Sequence, residues 1–171
     1  MPVAPLARLP SGSDVFLDAN VFVNALLGQS VECLELLQRC TREDVYGATT
    51  LHVINEATHR LMLAEACAAG IIAKQHPSLL GKRLQAITTL SKYWIQTQTI
   101  LTMNMAILPV EEACLYGAHS VRSSYGMLTN DSLIVAAMRD YGLSIVASAD
   151  GDFDHIMGLT RYTPTDLPRS S

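Results

Sequence analysis

The chain has 171 residues, of which 49% are hydrophobic and 16% charged, with a formal net charge of -4. That length and apolarity suit one domain with a sizeable core, which excludes a largely disordered chain. The acidic balance excludes a simple basic nucleic-acid binder unless the acids are gathered at a cation site.

The residues before Ser13 carry Pro2, Pro5 and Pro10 with no continuous apolar run, so 1–13 reads as a loosely held arm and not as a secretory signal. Val15 to Leu17 is a short apolar run that predicts a buried strand delivering Asp18 and Asn20 to a turn before a helix at 21–27. Ser30 can cap a second helix over 31–40. Val45 to Ala48 reads as the next strand, and Thr49-Thr50 as the polar cap of a long helix from Leu51 to about Ala69, with Glu56 in its second turn. After Gly70 and Pro77, apolar residues at 80, 84, 87, 90 and 94 keep helical spacing and predict one helix over about 78–97.

Met105 to Leu108 is a plausible strand, followed by a helix over 110–125 that Gly126 closes. Thr129-Asn130-Asp131 begins a helix that ends at Gly142. Ser144 to Ala147 is a further buried strand, which delivers Ser148, Asp150, Asp152 and Asp154 to its carboxyl end, and Leu159 to Tyr162 is a final edge strand. The alternation predicts an α/β fold in one domain, 14–171, with a parallel sheet of about five strands flanked by helices and an enlarged helical arm at about 51–100. The cysteines at 33, 40, 67 and 114 form no CxxC pair and read as reduced thiols packed in the core. No apolar stretch approaches the roughly 20 residues needed to cross a bilayer, so a cytoplasmic location without membrane contact is expected.

Four places send acids to one rim of this sheet: Asp18, Glu56, Asp131, and Asp150 with Asp152. Taken singly, each reads as a helix cap or a solvated loop residue. Together they are costly, because two carboxylates about 5 Å apart repel by roughly 3 kcal/mol at an effective dielectric of 20. A divalent cation removes that penalty. Oxygen donors without a His or Cys partner favour Mg²⁺ or Mn²⁺ over Zn²⁺, and such a site suits phosphodiester hydrolysis.

At these residues the chain resembles a known family. Phe16-Leu17-Asp18-Ala19-Asn20, Asn55-Glu56-Ala57, Leu128-Thr129-Asn130-Asp131, and Ala147-Ser148-Ala149-Asp150-Gly151-Asp152-Phe153 are similar to the ordered acidic motifs of PIN-domain ribonucleases, including VapC-type toxins. The resemblance spans about 14–162. It implies a five-stranded parallel sheet and Mg²⁺- or Mn²⁺-dependent cleavage of RNA that leaves 5′-phosphate and 3′-hydroxyl ends. By the same resemblance Asp18, Glu56, Asp131 and Asp150 are the catalytic acids, and Asp18, Asp131, Asp150 and Asp152 are metal ligands. Asp152 either binds through water or shapes the turn. Ser148 and Asn20 support Asp18. An antitoxin protein that offers a basic side chain to the pocket, and a homodimer, are expectations of the family. The long helical arm and the N-terminal arm depart from a compact VapC-type toxin.

Lys74, Lys82, Arg83 and Lys92 are candidate phosphate contacts, with Tyr93 or Trp94 available for base stacking. Other chemistries fit less well. Read as a calcium loop from Asp150, the chain offers His155 where Gly is needed and Arg161 where a bidentate Glu is needed. The Glu56-x-x-His59 spacing lacks the second copy that a carboxylate-bridged di-iron bundle requires. A phosphatase of the haloacid dehalogenase type needs a general acid where Asn20 stands. The alternatives that remain are a housekeeping RNA-processing nuclease and a catalytically silent module of the same fold that binds RNA or protein; the latter has no need for a repulsive acid cluster.

Overall fold

Val15, Phe16 and Leu17 are consecutive and all fully buried, which a strand allows only when both faces of its sheet are covered. The computed structural model describes residues 3–168. Among the described residues, six strands form one sheet: β1 (Val3–Pro5), β2 (Asp14–Leu17), β3 (Tyr46–Thr50), β4 (Ala106–Leu108), β5 (Ile145–Ala147) and β6 (Thr160–Thr163). They lie in the order β1-β6-β5-β2-β3-β4, and every pairing is parallel. Parallel neighbours need crossover segments, and helices supply them. These are α1 (Ala19–Leu26), α2 (Val31–Thr41), α3 (Leu51–Ala68), α4 (Pro77–Gly81), α5 (Leu84–Ile87), α6 (Lys92–Thr102), α7 (Glu112–Tyr125) and α8 (Thr129–Asp140).

The core lies between β2, its neighbours and the helices that cover them. Phe16, Leu17, Phe22, Leu37, Leu61, Ile134, Met138 and Phe153 are fully buried, each contributing about 1.5–3 kcal/mol by leaving water. α1 packs on α2 and α3, α3 on α6, and α7 on α8. Gly47 fixes how closely α2 meets β3, because a Cβ there would lie 2.8 Å from Cys40 Sγ. The four cysteines are free, three of them buried and Cys67 half-buried.

The sheet has one strand more than the sequence suggests, and the extra strand comes from the N-terminal arm. Val3, Ala4 and Pro5 pair with Arg161, Tyr162 and Thr163, while Leu6 and Leu9 are buried in the core. The expectation of a loosely held arm is therefore corrected: two apolar anchors and a vacant sheet edge hold it. β6 in turn is an inner strand, not the edge strand expected.

The helix expected over 78–97 is broken into α4, α5 and the start of α6. Its apolar residues serve a turning chain, in which Leu80, Ile87 and Leu90 cover Leu63 and Ala66 on α3. A new helix start is fixed at residue 91, where the Glu65 carboxylate accepts the backbone N–H groups of Ser91, Lys92 and Tyr93 at 3.0, 3.0 and 2.7 Å. Leu84 and Trp94, part of the expected apolar stripe, are exposed. The Thr49-Thr50 cap is also corrected: Thr49 donates to Leu17 O and the Thr50 hydroxyl pairs with His52 Nδ1, so neither side chain caps α3. Ser30 does cap α2, accepting from Cys33 N at 3.0 Å.

Candidate functional site

From β2 the chain passes to β3 and β4 on one side of the sheet, and it later places β5 and β6 on the other. The reversal between β2 and β5 opens a crevice beyond their carboxyl ends, the place where open α/β sheets hold ligands. Leu17 is in register with Ala147, so the next residues, Asp18 and Ser148, emerge side by side. Asp18 N donates to Ala147 O at 3.1 Å, which extends the ladder one step into the crevice.

Both Asp18 and Ser148 are buried. The Asp18 carboxylate accepts from Ala19 N at 2.6 Å, from Ser148 Oγ at 2.7 Å and from Asn20 Nδ2. Asn20 Nδ2 also lies 2.9 Å from Ser148 Oγ, and Asn20 Oδ1 accepts from Ala149 N at 2.9 Å. Asn20 and Ser148 thus fix the carboxylate in one orientation and tie it to the loop after β5. Burial raises the Asp18 carboxyl above its ordinary range; the bonds from Ser148 and Ala19 oppose this, Glu56 adds to it and Arg60 counters it.

Asp131 lies in the first turn of α8, half-buried. Its carboxyl is pushed up to about 6, first by burial and then by the charges of Asp18, Asp150, Asp152 and Glu56. Acids from β2, α3, α8 and the loop after β5 therefore share one electrostatic neighbourhood. Asp150 acts on Asp131 more strongly than Asp152 does. Asp150 also accepts from Asp152 N at 3.0 Å and begins the 3₁₀ turn Gly151–Phe153. Asp154 turns away to pair with Arg161. The acids share charge without closing on a single point: among the described residues, no three His, Cys, Asp or Glu side chains stand close enough to hold a metal ion.

Three supporting residues escaped the sequence reading. Asn130 Nδ2 donates to Glu56 Oε2 at 3.3 Å, which links α8 to α3 across the crevice. Arg161, buried in β6, donates to Ser148 O at 3.1 Å and grips Asp154 with two nitrogens, bracing the loop that carries Asp150. Arg60 follows Glu56 by one helical turn and acts on Asp18. The one signal for Arg161 was a charged residue inside a strand. Lys74, Lys82, Arg83 and Lys92 are not brought to the crevice: they are exposed and follow the far end of α3. Lys92 sits beside Glu65, which is roughly 14 Å along the helix axis from Glu56 at 1.5 Å per residue.

Comparison with known proteins gives this geometry a family. Ribonuclease VapC2 of Methanocaldococcus jannaschii is 25% identical over 142 residues, spanning 83% of this chain and 88% of that protein. Among solved structures, VapBC2 from Rickettsia felis, bound to a DNA fragment from its promoter, aligns with a TM-score of 0.58 at 13% identity over 88% of this chain and 98% of that one. VapC20 from Mycobacterium tuberculosis, a toxin that cleaves the sarcin-ricin loop, aligns with a TM-score of 0.54 at 15% identity over 82% of this chain and 92% of that one. At these identities the two structures share the fold. The PIN domain profile matches residues 15–159, nearly the whole described chain, and the protein belongs to the PIN domain family.

Proposed function

We propose that this protein is a metal-dependent endoribonuclease, the toxin of a toxin-antitoxin pair, that cuts RNA to leave 5′-phosphate and 3′-hydroxyl ends. The observation that carries the reading is the gathering of four carboxylates, Asp18, Asp150, Asp152 and Glu56, around a half-buried Asp131 that they repel, all held by folded elements instead of being dispersed to solvent. Such an arrangement is unfavourable without a cation. The donor chemistry fits Mg²⁺ or Mn²⁺: every candidate ligand is a carboxylate oxygen, and a hard cation that keeps several waters needs few protein ligands close together.

Asp18, Asp131 and Asp150 would hold the ion, no more than two of them directly and the remaining one, like Asp152, through water. When bound, the ion lowers the pKa of a water and offsets charge on the leaving oxygen. The chain's own residues do the rest. Ser148 and Asn20 hold the Asp18 carboxylate still, Asn130 aims Glu56, and Glu56 orients the attacking water and accepts its proton. The exposed Lys74, Lys82, Arg83 and Lys92 would meet RNA phosphates away from the cut.

The partner in this reading is an antitoxin that places a basic side chain among the acids. The related VapC2 is named a ribonuclease, and a toxin-antitoxin complex from Klebsiella pneumoniae contains a chain of similar fold. A homodimer is part of the same reading. An apolar cleft of about 1020 Å³, lined among others by Leu51, Trp94, Leu101 and Ile107, all exposed, is a surface that a second copy would cover.

The decisive experiment measures Mn²⁺ binding and cleavage of a panel of cellular RNAs by the wild type and by Asp18→Asn. Cleavage is expected to require the ion and to be abolished in the variant, with its fold retained. Full activity in Asp18→Asn would sink the assignment, and neither binding nor cleavage in the wild type would favour a silent module.

A further inference from the structure

We propose that Arg60 is a phosphate-binding residue, gripping the non-bridging oxygens of an RNA phosphodiester adjacent to the bond that is cut. This rests on the ribonuclease reading for its substrate, but on separate observations for its site. Glu56 and Arg60 stand four residues apart on α3, so they share a face with their Cβ atoms about 6 Å apart. Arg60 is half-buried, and its charge is felt at Asp18. Among the described residues it makes no hydrogen bond or ion pair within range. Of the other described arginines, those that are not exposed are all engaged: Arg39 is paired with Asp44, Arg122 donates to Ser132 Oγ, and Arg161 is paired with Asp154.

The guanidinium of a half-buried arginine carries five donors, and a neighbouring carboxylate is their ordinary sink. Here the adjacent acids are already engaged. The Asp18 oxygens accept from Ala19, Asn20 and Ser148, and Glu56 accepts from Asn130. Arg60 is thus left with unspent donors beside an acidic crevice that by itself repels a polyanion. The arm cations lie too far along α3 to answer for that phosphate, since Lys92 is roughly 14 Å from the level of Glu56 and Arg60 only about 6 Å. A planar fork of N–H donors matches a phosphodiester's two free oxygens, which a lysine ammonium does not.

The test uses the full chain carrying Asp18→Asn, so that RNA is bound without being cut. Binding of a labelled single-stranded RNA oligonucleotide is measured across a salt series, with and without Arg60→Ala or Arg60→Lys. Loss of one phosphate contact is expected to weaken binding about tenfold whatever the RNA sequence, and to reduce the slope of log K against log[salt] by about 0.7. Arg60→Lys is expected to keep the slope and recover only part of the affinity. An unchanged slope and affinity in Arg60→Ala overturns the contact, as does an RNA that fails to bind the Asp18→Asn protein. If the pH profile of wild-type cleavage shifts in Arg60→Ala while the slope stays put, Arg60 acts only by tuning Asp18 and the proposal falls. Cleavage by the wild type with an Arg60-independent slope leaves the ribonuclease reading standing alone; Arg60-dependent binding without wild-type cleavage does the reverse.

Discussion

Asp131 stands at a helix N-terminus, where the backbone dipole ordinarily favours a charged carboxylate, yet its carboxyl is pushed up to about 6. Burial and four neighbouring acids outweigh the dipole. Because the folded state keeps this proton where the unfolded chain has released it, the metal-free protein loses stability as pH rises from about 4 to about 6. Asp131→Asn removes the repulsion, and at pH 7 it is expected to stabilise the metal-free protein by about 1 kcal/mol once solvent screening of a half-exposed group is allowed for. Calorimetry should show a Tm about 2–4 °C higher, with cleavage lost. Added Mn²⁺ should raise the Tm of the wild type more than that of the variant, because the ion relieves charge that the variant lacks. The delivery of these acids to one rim was legible in the sequence, since Asp18 and Asp150 follow apolar strands, Asp131 lies in the first turn of a helix and Glu56 in the second turn of another. Arg60, Asn130 and Arg161 were not: an arginine one turn beyond Glu56 looks like a solvated helix face, and the bonds of Asn130 to Glu56 and of Arg161 to Ser148 exist only once distant segments meet.

At the scale of elements, the strand and helix order from β2 to β6 follows the alternation of apolar runs and caps, and Ser30 and Gly126 mark helix ends as their chemistry predicts. Gly126 has φ 71°, a left-handed conformation that ends α7 without a Cβ penalty. The arm between α3 and α6 was misread because helical spacing alone cannot distinguish one straight helix from a chain that turns and keeps its apolar residues on the same neighbour. What decides the matter is Glu65, whose carboxylate collects three N–H groups at the start of α6 from 26 to 28 residues away. Glu65→Ala is expected to cost about 1–2 kcal/mol, in line with loss of a helix cap, and to increase hydrogen exchange through α6. RNA cleavage at saturating Mn²⁺ should change little, because Glu65 lies two and a half turns from Glu56. Loss of cleavage equal to that of Asp18→Asn would mean that the arm itself shapes the crevice.

For the whole molecule, the telling feature is that the first strand of the sheet borders the last. Leu6 and Leu9 are each 3% exposed, so deleting residues through Leu9 should cost about 4 kcal/mol in lost burial alone. It would also uncover the edge of β6, and an open parallel edge invites pairing with another chain. Sedimentation of the truncated protein is expected to show higher-order association, and its Tm to fall by about 8–16 °C. A truncated protein as stable as the wild type would mean that the arm only rests on the sheet. The sequence concealed this strand because its three residues include a proline and are too few to show a period.

The bond between Asp18 and Ser148 joins residues 130 positions apart. At about 5–20 residues per second, a ribosome needs roughly 6–26 s to travel between them. Throughout that interval the nascent chain holds its first acid but not the hydroxyl that fixes it, nor the loop that completes the crevice. If the protein is the ribonuclease proposed above, it is inert toward the messenger and the ribosome that are making it, and becomes competent only as synthesis nears its end.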